Sequence, residues 1–390
     1  MHQIDTVERR RRIAVRHHLA PACRAADVAA VAGGTVGIHA TDPASVYLGA
    51  FARVEGLTFD DMAAALYDDR TVLKILGMRR TMFVVPRDVA SVMNAAVTRA
   101  IGVRERNRLL QMLRDAQVAD DVEAWVDEVE AQTVATLDEL GEATATQLTG
   151  RVPGLRVQIP FGEGKKWGGK FGVSTRMLFL LAAEGRIIRG RPRGTWLSSM
   201  YAWVPMDRWV PGGLAELPTD EAQAELISRW LRAFGPGTQR DIQWWTGLTV
   251  RETRQALTAV GAVEVQLDDS VGFALPDDLA GTPDPGPWVA LLPALDTTTM
   301  GWKERDWYLD GYGKALFDTS GNAGPTVWVD GHVVGGWAIR PDGSIVHRLL
   351  ESVGREAEQA TDAEVHRLEA WLGKSRIIPR FRTPLELELT

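Results

Sequence analysis

The chain has 390 residues, 45% hydrophobic and 24% charged, with a formal net charge of −7, values that expect roughly two to four globular domains able to form their cores unaided. Its single cysteine, Cys23, excludes an intrachain disulfide and a multi-thiolate zinc site. No apolar run reaches membrane-spanning length and no signal-peptide core follows the arginines Arg9 to Arg12, so a soluble cytoplasmic protein is expected.

In chain order, Thr6 to about Ala32 reads as a helix, a polar break and a second short helix. Asp42 and Pro43 give the N-cap and first position of the next helix, which runs through Val46 to Val54. Two residues upstream of that cap, His39 and Thr41 have no evident packing role, and they stand at the positively polarised end of a helix. Thr58-Phe59-Asp60 caps a helix to Leu66, Thr71 to Gly77 is read as another, and Arg79 to Val85 is strand-like. Pro86-Arg87-Asp88 opens a helix toward Ala100, so three helices and a β segment spell a winged helix-turn-helix.

The same order returns twice. Trp125 to Leu137 and Ala145 to Leu148 are helical, a Gly- and Lys-rich loop leads to a helix at Ser174 to Glu184, and a hairpin returns through Trp196 to Val204. Then Asp220 to Phe234 is a helix, Thr238 caps Gln239 to Thr246, Thr249 starts a helix through Val260, and Val263 to Leu267 pairs with Val271 to Leu275. The likeness of Leu140-Gly141-Glu142-Ala143-Thr144 to Phe234-Gly235-Pro236-Gly237-Thr238 suggests internal duplication.

After the linker Pro283 to Pro287 the texture changes to strands at Trp288 to Leu292, Gly324 to Val329, His332 to Ile339 and Ser344 to Leu350, with a closing helix at Glu358 to Leu372. The expected fold class is therefore α+β, with winged helices over 1–115, 116–212 and 213–282 and a β-barrel-like domain over 283–390.

The charge is segregated. Acidic residues gather at Asp115 to Glu142 and Glu351 to Glu369, and basic ones at Arg9 to Arg16, Arg79-Arg80, Lys165 to Lys170 and Arg186 to Arg193. Such a map suits one anion-facing surface, with a merely solvated surface as the alternative. Arg79 and Arg80 on the first wing and Arg189, Arg191 and Arg193 on the second are candidates for phosphate contacts. Lys165, Lys166 and Lys170 lie in a basic loop that lacks the order of a phosphate-binding P-loop; it is expected to track a DNA backbone, with a plain linker as the alternative. Trp302 and Lys303 could touch DNA, or Trp302 could pack on the sheet. The seven histidines show no metal-ligand spacing, so no metal and no cofactor are expected.

Four stretches resemble the AlkZ/YcaQ-type winged-helix DNA glycosylases: Gly37 to Arg53, Met78 to Pro86, Trp230 to Leu248, and Leu291 to Asp296 with Gly301 to Arg305. The hairpin Val329 to Trp337 belongs to the same pattern. The resemblance implies three tandem winged helices and a β-barrel, C-shaped around a DNA channel. It also implies cofactor-free excision of alkylated purines, notably bulky N7 adducts, from double-stranded DNA by a monomeric, nucleoid-associated repair enzyme, possible in self-resistance to a genotoxin. The family places Gln-X-Gln or Gln-X-Asp where this chain has His39-Ala40-Thr41, which makes His39 and Thr41 the catalytic candidates. A neutral imidazole can hold and deprotonate a water, and the Thr41 hydroxyl can help position it. The alternatives are local polar roles for both residues, within a non-catalytic lesion sensor, a transcription regulator or a binding scaffold.

Overall fold

The computed structural model describes residues 1–161 and 169–390. It is a mixed α+β protein, and among the described residues no helix is long and apolar enough to cross a membrane.

The first sheet has three antiparallel strands in the order Ile38–His39, Met82–Pro86, Val72–Leu76. Val72–Leu76 lies in the stretch read as a helix and is a strand instead. Its five residues (Val-Leu-Lys-Ile-Leu) are too few to separate the two periods, and long-range pairing with Met82–Pro86 decides. Register then sorts the side chains. His39, Phe83 and Ile75 form one row across the sheet, and Ile38, Val84 and Lys74 form the next. Successive strand residues face opposite ways, so His39 and Lys74 lie on opposite faces. The His39 face carries Phe83 toward Trp245 of the helix Gln239–Thr246. The Lys74 face meets the hairpin formed by Ile187–Pro192 and Tyr201–Pro205.

A shared order of elements recurs along the chain. The helix Val122–Leu140 leads through Ala143, which bridges to Trp203, into the capped helix Ala145–Arg151, then the helix Val173–Ala183 and its hairpin. Thr219–Phe234 leads likewise through Gly237, which bridges to Phe273, into the capped helices Gln239–Thr246 and Val250–Ala259 and the hairpin Val263–Gln266 with Val271–Ala274. In both, a threonine (Thr144, Thr238) forms a reciprocal capping box that fixes the start of the second helix.

The last part corrects the barrel expectation. Val289–Leu292, Thr326–Val329, His332–Ile339 and Ile345–Leu349 form an open four-stranded antiparallel meander, in which the first and last strands do not pair. The helix Arg355–Leu372 packs against this sheet instead, with Glu369 accepting from the Ile345 backbone N–H at 2.8 Å.

A buried polar network joins two segments far apart in the chain. Arg53, at the close of the helix Pro43–Phe51, donates to both oxygens of Asp296 at 2.9 and 2.7 Å, to Thr298 Oγ1 at 2.7 Å, and to the carbonyls of His17 and Gly49. All five guanidinium donors are thereby used. Ser45 donates to the Ala294 carbonyl at 2.6 Å, and Thr297 donates to the Gly37 carbonyl at 3.0 Å. The segment around residues 293–298 thus clamps both sides of the stretch that holds His39 and Thr41.

Candidate active site and nucleic-acid surface

Gly37 sets the path into the site. Its φ of +114° is open to glycine, and a Cβ there would lie 2.8 Å from Val85 Cγ1. The chain then turns into Ile38–His39, where the His39 imidazole packs edge-on against Phe83, ring centroids 5.3 Å apart. His39 is only 5% exposed, and its Nδ1 is buried without a hydrogen-bond partner. Burial, reinforced by the nearby Arg79 charge, pushes its pKa down to about 3, so the ring is neutral at physiological pH. An unpaired buried ring nitrogen is uncommon.

Thr41 is exposed, and its hydroxyl accepts from the Met82 backbone N–H at 3.3 Å. Asp42 follows at the N-cap, half-buried, with its carboxylate 3.4 Å from the Ser45 hydroxyl and 3.5 Å from Arg380. Burial holds the Asp42 pKa above the ordinary carboxylate value.

Arg79 and Arg80 occupy the turn between the two longer strands, and both have left-handed backbone, φ +53° and +64°. Two successive non-glycine residues in that region store strain that the fold must hold elsewhere. Arg79 is exposed and stacks on Trp244, its guanidinium carbon 4.0 Å from the ring centre. Arg305 approaches the same indole at 5.2 Å. Neither arginine has a carboxylate partner among the described residues. Arg80 points away and pairs with Glu105 at 3.1 Å. Sequence reasoning did not single out Trp244 or Arg305 as a stacking pair; Trp244 is half-buried and also packs against the main core. The only signal was their proximity to Gly247 and Gly301, which is weak.

The remaining expected DNA-contact residues are scattered. Arg189 is half-buried against Tyr201, 4.5 Å from the ring centre. Arg191 and Arg193 are exposed but already paired, with Asp68 at 2.5 Å and Glu142 at 2.6 Å. Lys170 is exposed on the strand Gly169–Gly172, while Lys165 and Lys166 lie outside the described residues. Lys303 is exposed, and its backbone N–H is held by Asp241 at 2.8 Å. Trp302 corrects the expectation of a DNA contact. It is 2% exposed, donates its Nε1–H to the Phe234 carbonyl at 3.1 Å, and packs among His17, Phe234, Trp307 and Tyr308. An indole that fills a core and satisfies its N–H has no free face to offer.

Asp310, His332 and Glu351 are the one group of three among the described residues whose side chains could jointly ligate a metal, with ligand atoms within 4.8 Å of one another. They are already engaged otherwise. His332 contacts Glu351 at 3.2 Å, Tyr312 donates to Glu351 at 2.9 Å, and the Arg10 cation stands nearby.

A family model described as DNA glycosylase AlkZ-like matches residues 32–371. Among solved structures, the chain is similar to the Streptomyces sahachiroi DNA glycosylase AlkZ. The TM-score is 0.73 at 20% sequence identity, and the match covers 94% of this chain and 97% of that one. Comparison with curated proteins gives no match. The matched family region takes in His39, Thr41, Arg79, Trp244 and Arg305 together, and with it the chain belongs to the AlkZ-like DNA glycosylase family.

Proposed function

We propose that the protein is a monofunctional DNA glycosylase that hydrolyses the N-glycosidic bond of alkylated purines in duplex DNA, with bulky N7 adducts as its preferred lesions. It acts as a monomer in the cytoplasm, on nucleoid DNA, and its three helix-and-hairpin units are winged helices. Such a role suits base excision repair or self-resistance to a DNA-alkylating genotoxin.

One observation supports the site assignment: the unpaired Nδ1 of a neutral, buried His39, two residues before the exposed Thr41. An N7-alkylated purine is cationic and leaves as a neutral base, so no general acid is needed. The remaining task is to hold a water for attack on a sugar with oxocarbenium character. A neutral imidazole accepts a hydrogen bond from that water, and Thr41 supplies a second polar group. Because the His39 pKa lies far below that of a free imidazole, its part is orientation of the water more than proton abstraction. Arg79 and Arg305, both near the Trp244 ring and without a carboxylate partner among the described residues, are the leading phosphate contacts.

The low exposure of His39 favours a second reading, a lesion-binding protein without chemistry. An assay of duplex DNA carrying small methyl, bulky N7 and crosslinked adducts separates the two. The enzyme releases free base and leaves abasic sites, most efficiently from the bulky adducts. A sensor binds the same duplexes and releases none.

A further inference from the structure

Lys74 is the least explained charge in the protein. It sits in the middle of the strand Val72–Leu76, opposite Val84, on the face turned away from His39. Its side chain is half-buried, and among the described residues its ammonium has no hydrogen bond and no ion pair. Burial and two neighbouring guanidiniums, Arg189 and Arg380, push its pKa down to about 8, and Asp42 is the one carboxylate that opposes them. Asp42 is itself engaged by Arg380 and Ser45.

The surroundings form a narrow cleft between the first sheet and the second hairpin, bordered by Pro43, Lys74, Arg189 and Ser198 and by the rings of Tyr47 and Trp196. Pro43 opens the nine-residue helix Pro43–Phe51 and lines the same cleft, with Asp42 at the N-cap, so the positively polarised end of that helix lies close by. Lys74 and Arg189 thus line one cleft, and Arg380 and the half-buried Asp42 carboxylate complete the charged surroundings of the Lys74 ammonium. Like charges held together in a partly desolvated cleft oppose folding unless an anion joins them.

We propose that Lys74, Arg189 and Arg380 form a binding site for a phosphate-class anion at the N-terminus of the helix Pro43–Phe51. Resting on the glycosylase reading, a backbone phosphodiester of the bound DNA is the natural occupant, and a free phosphate compound is the other source of the same chemistry. A phosphate there would lie beside Thr41-Asp42 but across the sheet from the His39 ring. The site would then fix the strand without touching the reacting sugar. Lys74 is thus a positioning residue.

The test uses the full chain and two variants, Lys74→Met and Lys74→Arg. Two quantities are read: the salt dependence of affinity for undamaged duplex DNA, and the thermal midpoint in inorganic phosphate against chloride at equal ionic strength. A backbone phosphate lowers the slope of log K against log[salt] by about one in Lys74→Met. Lys74→Arg, which keeps the charge, leaves the slope as in the native protein. If the slope does not move but phosphate raises the midpoint of the native protein and not of Lys74→Met, the occupant is a free phosphate compound. An unchanged slope together with equal phosphate response in both proteins overturns the site. In chloride alone, Lys74→Met is expected to be at least as stable as the native protein, since it removes a repelled charge, so weakened binding would not reflect unfolding. Base release from alkylated duplex by the native protein is a separate readout. Release with no Lys74 effect overturns this site alone, and a Lys74 effect without release overturns only the glycosylase reading.

Discussion

Arg53 and Asp296 stand 243 positions apart in the sequence and meet in a two-pronged ion pair, each side chain 1% exposed. The pair links the helix that follows His39 and Thr41 to the segment that precedes the C-terminal sheet. Removing one partner strands a buried charge, which costs about 3–5 kcal/mol. Arg53→Met is therefore expected to lower the unfolding free energy by about that amount in urea titration. Arg53→Met combined with Asp296→Leu should lose less than Arg53→Met alone. A single-variant loss below about 1 kcal/mol would mean that the pair does not hold the site.

Gly37 should tolerate no side chain. Gly37→Ala places a Cβ against Val85 at a left-handed φ, at a cost of about 1–3 kcal/mol. Thermal unfolding reads the loss, and an unchanged midpoint would show that the turn relaxes freely.

Arg79 and Trp302 should separate cleanly in their DNA effects. Arg79→Gln removes an exposed, unpaired cation and is expected to reduce the salt slope of duplex binding by about one. Trp302→Phe leaves the Phe234 carbonyl without its donor, so it destabilises by about 1–3 kcal/mol and leaves the slope unchanged. A slope change in Trp302→Phe, measured where the variant is fully folded, would return that indole to the DNA surface.

The pH behaviour of His39 has a definite sign. Its folded pKa of about 3 lies below the ordinary imidazole value of 6.5. The unfolded chain therefore binds the extra proton first. The stability associated with neutral, buried His39 is present above pH 6.5 and is lost as pH falls from there toward 3. Within the folded enzyme the ring stays neutral, so single-turnover base release should show no acid limb near pH 6.5. A limb at that value that disappears in His39→Gln would place a solvent-exposed imidazole in the reaction.

Much of the architecture was legible because it rests on local signals. Thr238 with Asp241 and Thr249 with Glu252 announce their helices through capping boxes, and Asp330-Gly331 makes the turn between two strands of the last sheet. Non-local decisions were not legible. Val72–Leu76 is a strand because Met82–Pro86 lies beside it, and reading it as a helix hid Lys74 from view. Closure of the C-terminal sheet depends on pairing between its outer strands, which a period-two pattern does not encode. For the site, the position of His39 was legible and its burial was not, because Phe83 reaches it only through the folded sheet. Trp302 and Trp244 show the same limit, one fully packed inside and one half-buried with two arginines near its ring.

The most direct measurement of the central claim is single-turnover release of free base from duplex DNA carrying an N7-alkylguanine, compared among the native protein, His39→Ala and His39→Gln at matched DNA occupancy. The account predicts release by the native protein, a loss of about 10²-fold in His39→Ala, the cost of losing the orientation of the water, and substantial recovery in His39→Gln, whose amide can hold the same water. Equal release by the native protein and His39→Ala would remove the imidazole from the chemistry and contradict the account.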